Sequence, residues 1–301
     1  MDEKTIYNVH LDGHSSLRPA INMWGMYLKE KGRSHFTIRS FLGDINLLAS
    51  FIPTDRMINE ICTRDLNHFL EWIHNGRGQG IPCSPKSFSR RITSLKSFFR
   101  WLHDHAIISI DPAEVILQHS VLSPLPEILN PIEEQVVSSV VKEISQSGQC
   151  DTRPFVLLIL LLETGIKKTE CINIHRNHLE ISSSNPYLFV RYLDARDRKK
   201  ERKISISLEW VNKLSLYYEQ YKIENVLFPW SPRRLEYLLE DIGKSANLSK
   251  HLSFSMCRWT FAVNEIRNNK EPDLVRQELG VSKIQWRELK MKLNQLVKLS
   301  S

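Results

Sequence analysis

Apolar residues recur at helical spacing along most of the chain. Ile21, Trp24, Tyr27 and Leu28 predict a helix over 17–31, closed by Gly32. Ser34 and Thr37 open a second, with Ile38, Phe41, Leu42, Ile45, Leu48 and Phe51 on one face and Pro53 ending it. Thr63 is the expected N-cap of a third, whose stripe is Leu66, Phe69, Leu70 and Ile73. The Gly- and Pro-rich stretch 75–85 reads as a loop. Ser84 and Pro85 then start a strong helix over 85–103, apolar at Phe88, Ile92, Leu95, Phe98, Phe99 and Leu102. Its other face carries Lys86, Arg90, Arg91, Lys96 and Arg100.

The second half alternates between patterns. Asn130 caps a helix over 131–145, with Pro131 at its first position and Glu133 and Glu134 in its first turn. The apolar run 155–162 predicts a buried helix; it stops at Thr164-Gly165, and a new helical pattern begins with Lys167, Glu170 and Ile172. Residues 187–192 and 203–207 alternate apolar and polar and read as two strands joined by the charged turn 194–202. Helices are expected over 208–221, 231–246, 253–268, 272–279 and 282–299. The prediction is a mainly α protein, in which an N-terminal helical domain precedes a mixed α/β domain that is mostly helical with a small antiparallel sheet.

Composition narrows the class. The chain has 301 residues, 42% of them hydrophobic and 25% charged, which suits two globular domains. The net charge of +7 suits a polyanionic partner, nucleic acid first, or a merely basic protein. Five cysteines without CxxC spacing read as reduced thiols, with neither a disulfide framework nor a metal site, in a cytoplasmic setting. The N-terminus lacks a signal-peptide pattern, and the longest apolar run is too short to span a bilayer, so no membrane partner is expected.

Several stretches together resemble the tyrosine recombinase (phage integrase, Xer-type) family. Thr164-Gly165-Ile166-Lys167 with Glu170 is similar to that family's Thr-Gly-Leu-Arg-x-x-Glu. The run from Leu95 to Leu102, with Phe98, Phe99 and Trp101, followed by Ile110-Asp111-Pro112, resembles the end of its SAM-like core-binding domain. The linker with Pro124 and Pro126, the Leu227-Phe228-Pro229 signature and Arg258-Trp259-Thr260-Phe261-Ala262 fit as well. The resemblance implies an N-terminal arm over 1–16, a core-binding domain over 17–121, a linker over 122–130 and an integrase catalytic-type domain over 131–301. It implies double-stranded DNA as partner, and cleavage of a phosphodiester by a tyrosine without metal or cofactor.

The chemical positions depart from that pattern. Lys167 stands for the first arginine, keeping the charge but losing the planar fork. Arg258, the second arginine, is present. The family's two histidines fall at Ser255 and Val281, and its tyrosine at Lys290; no tyrosine follows Tyr237. Tyr237 reads as a packing residue. The family's lysine lies in the turn between the strands, where an ungapped match gives Asp197; Arg196, Arg198, Lys199 and Lys200 are its cationic neighbours, and the position stays unassigned. The DNA-contacting set implied is Lys86, Arg90, Arg91, Lys96, Arg100, Lys167, Arg196, Arg198, Lys199, Lys200 and Arg258. Each of these also has a plain reading as a solvated surface charge or a helix-end contact.

Three functions fit. The chain is a DNA-binding pseudoenzyme of recombination and integration without its own strand cleavage, acting beside an active recombinase. Alternatively it is a working site-specific recombinase with a relocated nucleophile, or one supplied in trans. Or it is a protein-interaction module on a relic fold. The stripe Ile284, Leu289, Leu293 and Leu296 offers a surface for self-association, or packs on its own domain.

Overall fold

The computed structural model describes residues 11–118, 124–146 and 150–299. The chain divides into two compact units, 1–123 and 124–301. Part of the expected arm (1–10) and the start of the expected linker (122–123) lie outside the described residues.

The first unit contains α1 (Leu17–Glu30), α2 (His35–Phe51), α3 (Thr63–His74) and α4 (Pro85–Asp104). Serine caps begin two of them: the Ser34 hydroxyl accepts from the Thr37 N–H at 3.2 Å, and that of Ser84 from Ser87 at 3.3 Å. Thr63 is not a cap but the first residue of α3. Cys62 precedes it and donates its N–H to the Asp65 carboxylate at 3.0 Å. Trp24, Leu48, Phe69, Phe98 and Phe99 close the core, with the Trp24 and Phe98 rings edge to face at 5.2 Å. Residues 11–16 are not loose. The carbonyls of Gly13 and Ser15 accept from the N–H groups of Asn59 and Ile58 at 2.9 and 3.0 Å.

The second unit is built on α6 (Arg153–Thr164), which is buried on nearly every side. Around it stand α5 (Pro131–Ile144), the short α7 (Lys168–Cys171), α8 (Leu208–Tyr221), α9 (Pro232–Ser245) and α10 (Phe254–Arg267). A second cluster joins α10 to α11 (Pro272–Glu278) and α12 (Lys283–Leu299) through Phe261, Val275, Leu279, Trp286 and Leu293. The sheet runs β1 (Leu179–Glu180), β2 (Tyr187–Val190), β3 (Arg202–Ser205), all antiparallel, with Leu188 opposite Ile204. β1 has only two residues, too few to show an alternation, and the sequence pattern missed it. Leu293 and Leu296 of α12 are buried against their own unit and offer no free surface; Ile284 remains 80% exposed. Among the described residues no helix is long and apolar enough to cross a membrane.

The turn after α6 fixes the second unit. Gly165 has φ +56°, and its N–H closes the helix on the Leu161 carbonyl at 3.0 Å. A Cβ there would overlap the Phe261 ring of α10. Gly165→Ala is therefore expected to destabilise the unit by about 2–4 kcal/mol, from overpacking and the left-handed backbone. Denaturant unfolding at pH 7 checks this, and an unchanged midpoint contradicts it.

Candidate functional site

Lys167 follows directly on the Gly165 turn and precedes α7. Its N–H donates to Glu170 Oε2 at 2.8 Å, a reach-back that fixes the start of the short helix. The Glu170 carboxylate is almost fully buried. Arg202 of β3 grips it with both terminal nitrogens, at 3.1 and 2.9 Å, and the Tyr192 hydroxyl donates to it. Burial alone would raise this carboxyl, but the Arg202 fork, the Lys167 N–H and Tyr192 hold it down at about 2. Arg202 also donates to the Glu278 carbonyl. Gly280 (φ +57°) passes so close to Arg202 that a Cβ would overlap the guanidinium. One ion pair thus ties the turn, the sheet and the loop after α11 together.

Arg258 rises from α10 into the same place. It donates to the Gly165 carbonyl, and to that of Leu279 at 2.6 Å. A guanidinium has five N–H donors; two go to these carbonyls, and the group also lines the open cleft beside them. Burial, and Arg202 nearby, lower it to about 10, so it stays cationic at neutral pH. The Lys167 ammonium lies 3.3 Å from the Gly280 carbonyl and 3.7 Å from Glu170 Oε1. Burial lowers its pKa; Glu170 opposes that, and Arg258, Arg202 and Lys200 add to it.

Two hollows meet at Lys167. The larger, about 670 Å³, runs between α9 and the start of α10 and is lined by Lys167, Lys168, Arg233, Tyr237, His251, Ser255 and Arg258, with Glu236 and Glu240. The smaller, about 280 Å³, is lined by Lys167, Trp259, Val281 and the α12 residues Gln285, Glu288, Leu289 and Lys292. The structure therefore brings together Lys167, Ser255, Arg258 and Val281. Lys290 is exposed on α12 and lines neither hollow.

In the turn between β2 and β3, Arg196 pairs with Asp194 at 2.7 Å, and Lys200 with Asp197 at 2.6 Å. Arg198 and Lys199 are exposed. Lys200 lies near enough to act electrostatically on Lys167. In the first unit the basic residues of α4 do not form one solvent face. Lys86 and Arg100 are exposed. Arg90 and Arg91 turn to the buried Asp44 at 2.9 and 3.5 Å. Lys96 donates to the Glu114 carbonyl at 2.9 Å. The odd member here is Asp44, buried on α2; its effect on α4 is not visible in the α4 pattern.

Comparison with known proteins fits this frame. Residues 21–105 match the family model described as "Phage integrase, N-terminal SAM-like domain". The tyrosine recombinase XerC of Anoxybacillus flavithermus is 26% identical over 281 residues, covering 86% of this chain and 88% of the relative. XerD of Listeria innocua is 25% identical over 265 residues, covering 83% and 86%. Over most of its length the chain is similar to tyrosine recombinases. A lambda integrase dimer bound to a COC' core site shares the fold at a TM-score of 0.69, with 14% identity, covering 91% of this chain and 77% of that one.

Two residues of this site escaped the sequence reading. Arg202 ends the charged turn expected over 194–202, but its partner Glu170 is 32 residues away, so only folding reveals the pair. Tyr237 is no packing residue. It is 42% exposed on the cleft wall, and its hydroxyl accepts from Arg233 Nε at 2.7 Å.

Glu170 makes the second unit acid-sensitive. Its carboxyl lies below the ordinary 4.5, so its stabilising effect is complete above pH 4.5 and is lost as the pH falls toward about 2. Glu170→Gln should cost on the order of 3 kcal/mol at pH 7 and flatten that acid limb. Urea unfolding at pH 7, 4 and 3 reads both effects, and an acid limb as steep in the variant as in the wild type contradicts the assignment.

Proposed function

We propose that this protein holds duplex DNA by its phosphates, as part of recombination or integration, without cutting the strand itself. The observation that carries the proposal is the Lys167–Arg258 pair on the cleft wall, a cationic frame organised by Glu170 and Arg202. Charge on the non-bridging phosphate oxygens is what such cations stabilise. The relatives named above support the reading, because their names describe recombinases and the integrase dimer is bound to a DNA core site.

Holding differs from cutting. Attack on phosphorus needs an oxygen nucleophile, a base for its proton and an acid for the departing sugar oxygen. The aligned positions supply Lys290, Ser255 and Val281, and none of these performs those roles here. An ammonium is no oxygen nucleophile, and a valine transfers no proton. Lys200, near Lys167, is the cation best placed to stand for the family's lysine; Asp197 neutralises it in part. The reading carries the protein to a cytoplasmic setting, where an active recombinase supplies whatever cleavage takes place.

A second reading draws on Tyr237. The exposed Tyr237 side chain shares the cleft with Lys167 and Arg258, so a phosphate held there shares the cleft with a phenol. Any covalent product formed by this route would disappear in Tyr237→Phe.

Binding to labelled duplex across a salt series tests the main reading. Log affinity is expected to fall linearly with log salt. Lys167→Ala should weaken binding for all sequences and reduce the slope by about one, as loss of a single phosphate contact does. Salt-insensitive binding, or an unchanged slope in the variant, removes the basis of the proposal.

A further inference from the structure

The first unit has a cationic hollow of its own, about 480 Å³ and broadly open to solvent. Arg90 and Arg91 of α4 form one wall, Arg39 of α2 faces them, and Arg77 reaches in from the loop before α4. Against four guanidinium groups stands one carboxylate, Asp44, which is 4% exposed and bonded to Arg90, Arg91 and the Ser94 hydroxyl. Arg91 Nε is buried and meets only Asp44, at 3.5 Å, too far for a full hydrogen bond. The cavity is therefore built to receive an anion, with more donors than its own acceptors use.

Three backbone and side-chain features belong to no packing need. Arg77 has φ +57°, a left-handed conformation that L side chains avoid, and it lies between Gly76 and Gly78, which also have positive φ. Gly43 sits in the interior of α2, where alanine is the better helix former, yet a Cβ there would meet nothing within 4 Å. Its open side is the cavity wall. Phe36 is 76% exposed in the first turn of α2 and shares the cavity face with Arg39 and Gly43, three and seven residues on. An aromatic face beside an arginine cluster is the pairing that single-stranded nucleic acid uses: the base stacks and the backbone meets the cations.

We propose that this cavity receives one unstacked nucleotide of a DNA strand. Its phosphate lies among Arg39, Arg77 and Arg90, its backbone approaches the helix at Gly43, and its base stacks on Phe36. A base inside an intact duplex is already stacked on both faces and cannot take that place, so the site selects DNA with an unpaired nucleotide. The inference rests on the DNA-binding reading and adds a substrate class to it.

The test measures binding of the full chain to two labelled duplexes that differ only in a single internal unpaired nucleotide. Stacking on one aromatic ring predicts a preference for the interrupted duplex of roughly 5- to 150-fold. Phe36→Ala should bring the two affinities together. Gly43→Ala should raise the thermal midpoint while reducing the preference, which separates ligand approach from folding. Equal binding of both duplexes by the wild type, or a full preference in the Gly43 variant, overturns the inference alone. Failure to bind either DNA overturns it together with the DNA-binding reading.

Discussion

Glu170 is a buried carboxylate that would not stay charged without its partners. Desolvation disfavours the anion; the two Arg202 nitrogens, the Lys167 N–H and the Tyr192 hydroxyl reverse that. The same bonds set the local architecture, because each partner comes from a different place in the chain. Arg202 brings β3, Tyr192 the segment just after β2, and Lys167 the turn after α6. Arg202 reaches on to Glu278, and Arg258 joins Gly165 to Leu279. Losing one member of a buried pair leaves an uncompensated charge, which costs more than the pair itself contributes. The network is thus a constraint on the sequence whether or not a strand is ever cut.

That constraint explains an uneven pattern of change. The residues that build the frame, Gly165, Glu170, Arg202, Arg258 and Gly280, tie the elements of the second unit together. Of the positions at which the resemblance placed proton transfer and attack, Ser255 and Lys290 carry no such load. Ser255 is exposed on the cleft wall, Val281 packs in the α10–α12 cluster, and Lys290 points to solvent. A protein can drop the second group and keep a cationic cleft. Lys167 lies between the two classes. Its backbone N–H serves the fold, and its ammonium serves the cleft.

Most of the fold was legible because helical spacing is long and repetitive. The stripes in α1, α2, α4 and α8 place those helices within a residue or two of their observed ends. The two-residue β1 has no period to read, and Cys62 preceding α3 looks unlike a cap until Asp65 is seen to accept its N–H. For the site, local motifs led to Lys167, Ser255, Arg258 and Val281, which do meet. Contacts across 32 or 46 residues, such as Arg202 to Glu170 or Arg90 to Asp44, leave no local trace. That is why a row of cations on α4 looks solvated in the sequence while two of its arginines are paired to a buried acid.

The claim at the centre is that the cleft holds a phosphate while the position of the family's tyrosine, Lys290, supplies no nucleophile to attack it. The most direct measurement incubates the purified protein with a labelled, nicked duplex whose cleavage product cannot be religated, and then resolves the sample on a denaturing gel. Retarded DNA in a native lane with no protein-linked label in the denaturing lane is the predicted result. A protein-linked band that disappears in Tyr237→Phe, or in any other single hydroxyl variant, would contradict the account and identify the nucleophile.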